Sequence, residues 1–100
     1  MYRGTTPTFI FNLPLDCGKI TALHLCFAQQ GAVILEKGLK DCKLEKDTLQ
    51  VNLTEQETLL FDAKRGMVEM QLRIGCGDSR MVSNIMCLSV ERILKDGCLE

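Results

Sequence analysis

The chain has 100 residues, of which 46% are apolar and 25% are charged, and its formal net charge is −1. This composition is typical of a globular domain that buries a core without metal ions or disulfides, and we expect residues 1–100 to form one domain. Twelve Lys and Arg residues against thirteen Asp and Glu residues leave no excess charge. Neither nucleic acid nor an anionic membrane is therefore expected as a partner.

The sequence predicts neither a membrane helix nor a signal peptide. No apolar run approaches the roughly eighteen residues that a membrane helix requires. Near the N-terminus, Asn12, Pro14 and Asp16 interrupt the apolar segment, which is then too short for a signal sequence. We therefore expect the protein to fold in a reducing cytoplasm, where thiols stay reduced.

Six cysteines are the unusual part of the composition, and they are Cys17, Cys26, Cys42, Cys76, Cys87 and Cys98. An even number in a short chain is compatible with disulfides, and zinc ligation is a second alternative. However, no two of them have Cys-x-x-Cys spacing, and His24 is the only histidine. Free thiols that act as small apolar fillers are the preferred interpretation, and no metal or other cofactor is expected.

The first predicted strand starts at Thr8. Phe9, Phe11 and Leu13 alternate on one face, and Pro14 limits its continuation. A hairpin follows, formed by residues 20–29 and 32–37 around a tight turn at Gln30-Gly31. The expected core residues of its first strand are Leu23, Leu25 and Phe27.

The middle of the chain predicts an edge strand, a further strand and a short helix. Charges of both signs crowd residues 36–47, which suits an exposed edge strand. Residues 48–53 then alternate cleanly. Thr54 and Glu57 form a capping box, and only one or two helical turns fit before Gly66. We expect this helix to close one end of the molecule.

The last third predicts a second hairpin. Residues 67–74 alternate most clearly, with Val68, Met70, Leu72 and Ile74 on the core side. A glycine-rich turn over residues 75–80 leads to a returning strand over residues 81–90, whose inward face is ambiguous. A short strand or turn over residues 92–97 closes the chain. The predicted fold is all-β: a single Ig-like β-sandwich of about seven strands, with one short helical crossover near residues 54–61.

No residues form a convincing catalytic constellation. Gly77-Asp78-Ser79 and the preceding His24 follow the chain order of trypsin-like proteases, but position 80 is Arg where a glycine would follow. His24 and Cys26 share a face without a third residue to orient the imidazole, so we expect a partly buried structural histidine. The sequence thus predicts no enzyme, no catalytic, cofactor-binding or metal-ligating residue, and no small-molecule substrate.

Two methionines of the last hairpin are candidates for a subunit interface. Met67 and Met81 are expected to project from the outer face, and exposed apolar side chains mark contacts between proteins. The other methionines there are expected to fill gaps in the core.

The order of these features resembles a known group of proteins. The residues are "RGTTPTFIFNLPLD", "ITALHLCFAQQGAVILEK", "LQVNLTEQETLLF", "GMVEMQLRI" and "ERILKDG". They resemble small uncharacterised prophage structural proteins of Clostridia-like Firmicutes. More distantly, the chain is similar to the N-terminal β domain of phage baseplate upper proteins, which share the F-x-F-x-L strand and the segment that holds Leu53, Thr54, Glu57 and Phe61.

The resemblance implies a non-enzymatic structural role in a phage tail, baseplate or head. Its partners would be other phage structural proteins or further copies of this chain, and its location would be the virion, after assembly in the bacterial host cytoplasm. The motifs are structural, so no site residue carries over. The alternative is a small cytoplasmic regulatory or inhibitory binding module encoded by a mobile element.

Overall fold

Two antiparallel sheets face each other in the computed structural model, which describes residues 1–14 and 16–99. One sheet has the order β1-β5-β4, and the other has the order β3-β2-β6-β7, with β8 also paired to β6. The strands are Thr8–Asn12 (β1), Ala22–Gln29 (β2), Ala32–Gly38 (β3), Cys42–Glu45 (β4), Thr48–Asn52 (β5), Val68–Cys76 (β6), Ser79–Val82 (β7) and Met86–Leu88 (β8). The all-β sandwich predicted from the alternating residues is confirmed.

The hairpin of β2 and β3 turns where the sequence predicts it. Gln30 and Gly31 both adopt positive φ, at 50° and 80°. Two central residues with positive φ define the turn type whose twist matches antiparallel strands. The edge position predicted for the charged segment is also confirmed, because β4 ends the three-stranded sheet.

The core lies between the two sheets. The residues that alternation predicts to face inward are buried: Leu23, Leu25 and Phe27 on β2, and the corresponding residues of β5 and β6. Phe27 lies at the centre of an aromatic chain, with its ring centroid 5.9 Å from those of Phe9 and Phe61. These tilted ring pairs link both sheets to the segment after the helix.

The predicted crossover is confirmed as a helix over Glu55–Thr58 (α1), which connects β5 in one sheet to β6 in the other. The capping box is complete: the Thr54 hydroxyl accepts from the amide of Glu57 at 3.1 Å, and the Glu57 carboxylate accepts from the amide of Thr54 at 2.8 Å. Beyond the helix, Phe61 is buried at one end of the sandwich.

The ambiguous face of the last hairpin has a structural cause. Met81 pairs with Ile74 and Met86 pairs with Met70, so residues 82–85 oppose only residues 71–73. The extra residue is a β-bulge, which reverses the inward parity and divides the predicted strand into β7 and β8. The turn is also shorter than expected, because β6 continues to Cys76 and only residues 77–78 separate it from β7.

The two terminal segments lie side by side. Tyr2 and Glu91 form a parallel bridge, in which the amide of Arg3 donates to the carbonyl of Glu91 at 3.1 Å. Residues 92–97 contain bends at positions 94, 95 and 97, and neither a strand nor a hydrogen-bonded turn is described there.

Candidate functional site

The free edges of the two sheets differ in how well they are protected against pairing with another strand. In the described part of the chain these edges are β1, β4, β3 and the β7–β8 segment. On β4, Lys43 and Glu45 form an exposed ion pair at 3.6 Å, and β3 carries Glu36 and Lys37. The bulge interrupts β7–β8. Charges and bulges are the usual protection of an edge, and three of the four edges have one.

The β1 edge has no such protection. Its sequence, TFIFN, is uncharged and rich in residues that favour strands, and its pairing with β5 continues without interruption over all five residues. Pro7 and Pro14 stand on either side of this strand. Because proline donates no hydrogen bond, Pro14 limits the pairing edge at its C-terminal end, whereas the carbonyl of Pro7 is bonded to the amide of Leu53.

The backbone of β1 presents alternate residues to the open side. Pro7 accepts from the amide of Leu53 at 3.0 Å, and the amide of Leu13 donates to Asp47 at 2.7 Å. In an antiparallel ladder these odd-numbered positions direct their groups towards β5. The N–H and C=O groups of Thr8, Ile10 and Asn12 therefore point away from the sheet, towards the free edge.

One apolar side chain marks the outer face beside this edge. Ile10 is 63% exposed and lies opposite Gln50. The residues of β1 on the same face as Ile10 are polar: the Thr8 hydroxyl donates to the amide oxygen of Asn52 at 2.7 Å, and Asn12 is exposed. We define the β1 edge as residues 8–12 with their outward backbone groups and the Ile10 side chain.

The two methionines predicted as an interface do not lie together. Met67 is 52% exposed just before β6, and Met81 is 38% exposed on β7. Met81 pairs with Ile74. Ile74 lies seven residues after Met67 in the sequence, so the two methionines are about 23 Å apart along the strand direction. Directly paired residues share a face, so Met81 lies on the core side at the sheet edge, and its predicted outer-face orientation is wrong.

The histidine and the glycine-rich turn do not assemble into a catalytic group. His24 is exposed, not partly buried, because the described chain places no second layer over the outer face of β2. It pairs with Arg73, while Ser79 pairs with Cys76 three residues further along β6. Ser79 and His24 are therefore separated by about 10 Å along the strand direction.

Five of the cysteines are free thiols in the described structure. Burial and the neighbouring Glu36 raise the pKa of Cys26, and burial and Asp41 raise the pKa of Cys42. Desolvation and the Glu55 carboxylate raise the pKa of Cys98. A raised pKa favours the thiol over the thiolate, which is the nucleophilic form.

The expected role as apolar filler fits only some of the cysteines. Cys42 and Cys76 pack against the core, whereas Cys87 and Cys98 are exposed. Within the described residues, no three His, Cys, Asp or Glu side chains are grouped as metal ligands. The helices found in that same part of the chain are too short or too polar to cross a membrane.

The β1 edge was not identified from the sequence. Alternation places Ile10 on the other face of the strand from Phe9 and Phe11. It does not reveal whether one or two strands pair with β1. The available signal was the pair of prolines around an uncharged strand, because proline is confined to edges and strand ends.

Comparisons with known proteins identify the fold. No family model and no curated protein matches the chain. Among solved structures, it is similar to the Ig-like domain of mouse leukocyte-associated immunoglobulin-like receptor 1, solved as a strand-swapped dimer. The identity is 12% and the TM-score is 0.50, over 91% of this chain and 84% of that chain. Together with the two-sheet architecture, this similarity shows an Ig-like β-sandwich.

Proposed function

We propose that this chain is a non-enzymatic assembly module of a phage or prophage, and that it assembles by pairing its β1 edge with the β1 edge of a second copy. The observation that carries the proposal is the contrast between this unprotected edge and the three protected ones. The resemblance to prophage structural proteins supports the biological setting. The receptor domain of similar fold forms a strand-swapped dimer, which is a precedent for contact between Ig-like domains through strands.

The outward groups of β1 fit an antiparallel pair with a two-fold axis at Ile10. In that register Ile10 lies opposite Ile10 of the second copy, and Thr8 lies opposite Asn12. Residues 8, 10 and 12 all direct their N–H and C=O groups to the free side. Every outward group therefore meets a partner, as the hydrogen-bonded positions of an antiparallel ladder require.

The side chains suit the same register. The two Ile10 side chains become direct cross-strand neighbours, at a Cβ separation of about 5.5 Å, and cover each other from water. Thr8 and Asn12 can exchange a hydrogen bond across the pair. Each backbone hydrogen bond contributes only about 1 kcal/mol net against a substantial cost of association. We therefore expect a weak dimer that forms at roughly micromolar to millimolar concentration.

A charge exchange on the exposed positions tests the pairing. In the proposed register, Thr8→Lys with Asn12→Lys places like charges opposite each other, so this variant should be a monomer. Thr8→Glu with Asn12→Lys places opposite charges across both pairs and should restore the dimer. Both variants lose the same Thr8–Asn52 hydrogen bond, so they are matched controls. Sedimentation equilibrium from micromolar to millimolar concentration measures the association.

The outcomes separate the contact from its register. A wild-type chain that stays monomeric at millimolar concentration contradicts self-pairing. If the wild type dimerises and both variants dimerise with the same affinity, the contact lies on another surface. If both variants are monomers while the wild type pairs, the edge is used in a different register.

The biological setting has its own test. Genes for portal, tail-tube, tape-measure or baseplate proteins should lie beside the gene for this chain. Regulatory genes in their place, together with a monomeric protein, would contradict the structural role. They would favour the regulatory or inhibitory binding module.

A further inference from the structure

Three side chains that carry N–H groups line a cleft on the outer face of the five-stranded sheet, remote from β1. They are His24 on β2, Arg73 on β6 and Arg80 on β7, and all three are exposed. The cleft has a volume of about 140 Å³, well above the roughly 15 Å³ that one water needs by the same measure. We infer that this cleft binds a compact oxyanion, either a carboxylate or a phosphate.

The strand register brings the three side chains to one place. His24 pairs with Arg73 across β2 and β6, so their Cβ atoms are about 5 Å apart on the same face. Arg80 pairs with Gly75, two residues beyond Arg73 on the same strand. Arg73 and Arg80 are thus diagonal neighbours at about 7 to 8 Å, a separation that one oxyanion can bridge with the long arginine side chains.

Arg80 is held in position before any ligand arrives. Its Nη1 donates to the carbonyl of Gly77 at 2.6 Å and to the carbonyl of Ser79 at 2.9 Å. A guanidinium has five N–H groups, so Nε and Nη2 keep three donors for a ligand. A Cβ on Gly75 would lie 3.1 Å from Nη1 and 3.3 Å from the Cβ of Ala22. The glycine leaves the space in which the guanidinium rests.

The charge of the cleft is not neutralised. Neither Arg73 nor Arg80 forms an ion pair within residues 1–14 and 16–99, and no carboxylate lines the cleft. Arg73 also makes no side-chain hydrogen bond in this part of the chain. Val82, 56% exposed, pairs with Arg73 and forms an apolar wall. Arginine forks of this kind match the geometry of carboxylate and phosphate oxygens.

Titration followed by ¹H–¹⁵N NMR tests the inference, with inorganic phosphate and sodium acetate as separate probes at constant ionic strength. The amide shifts should saturate and should be confined to residues 22–24, 73–75 and 80–82. Tighter binding of phosphate identifies a phosphate site, and tighter binding of acetate identifies a carboxylate site. Arg73→Gln should weaken binding about tenfold or more.

Two further variants show whether the cleft itself binds the anion. Gly75→Ala should also weaken binding, since the new Cβ displaces the Arg80 guanidinium. Arg92→Gln removes an exposed arginine outside the cleft and should leave binding unchanged. Shifts that never saturate, or an equal effect of Arg73→Gln and Arg92→Gln, would overturn the inference. The result does not depend on pairing of β1, which lies in the other sheet.

Discussion

The amide of Gln29 holds the loop that follows the helix. Gln29 is fully buried. Its Nε2 donates to the carbonyls of Asp62 at 2.8 Å and Gly66 at 3.3 Å, while its Oε1 accepts from the amide of Asp62 at 2.9 Å. Gln29→Met keeps the volume and removes all three bonds. We expect a loss of about 2 to 4 kcal/mol in the free energy of unfolding, because buried backbone groups lose their partners.

Urea denaturation measures this loss. Gln56→Met is the matched control, because Gln56 is exposed on α1 and the two residues have similar helix propensity. The control should change the free energy of unfolding by less than about 0.5 kcal/mol. Equal stability of the Gln29 and Gln56 variants would contradict the role assigned to the buried amide.

Helix α1 is connected to strand β3 by an ion pair between Lys37 and Glu57, whose Nζ and Oε2 atoms are 2.5 Å apart. Their side chains are only 11% and 23% exposed. Burial raises the pKa of Glu57, but the hydrogen bond and charge of Lys37 and the bonds to Thr54 outweigh burial and lower it below its ordinary value of 4.5.

This lowered pKa makes the helix contact sensitive to acid. A carboxylate with a depressed pKa in the folded state stabilises the protein above the unfolded pKa, and that stability is lost as the pH falls through the folded value. We expect the urea midpoint to fall below about pH 4.5, and Glu57→Gln to reduce that fall. Lys37→Met should reduce it too. An acid profile that neither substitution changes would contradict this coupling.

The helix and strands also show what the sequence could predict. Alternation identified the buried residues of β2, β5 and β6, and the Thr54–Glu57 box located α1, because both signals are local. The bulge was not predictable from the sequence. The inward residues are odd-numbered before the bulge and even-numbered after it, so no single alternation holds over the whole segment. The exposure of His24 and the open edge at Ile10 depend on which strands and layers are neighbours. Such long-range contacts leave little trace in a single sequence.

Arg3 connects three segments that are far apart in the sequence: the N-terminal segment, the loop after α1 and the C-terminal segment. Its Nε donates to the carbonyl of Phe61 at 2.6 Å and its Nη2 to the carbonyl of Leu59 at 2.9 Å, while Nη1 pairs with Asp96. Arg3→Met should cost about 2 to 4 kcal/mol of unfolding free energy. Arg3→Lys keeps the charge but cannot reproduce the fork, so it should recover only part of this loss.

Hydrogen exchange locates the effect of this substitution. The amides of Arg3 and Glu91 bond across the paired terminal segments, and they should lose protection in Arg3→Met while the amides of β2 and β6 keep theirs. Unchanged exchange at Arg3 and Glu91 would show that the guanidinium does not hold the termini together.

The terminal bridge determines what optical measurements on this protein report. The chain has no tryptophan and one tyrosine, and that residue, Tyr2, is 59% exposed beside Glu91. Tyrosine fluorescence therefore follows the terminal bridge, whereas near-ultraviolet circular dichroism of phenylalanine follows the rings around Phe27. If the termini separate before the core melts, the two signals change at different denaturant concentrations. Fluorescence alone would then underestimate the stability of the sandwich.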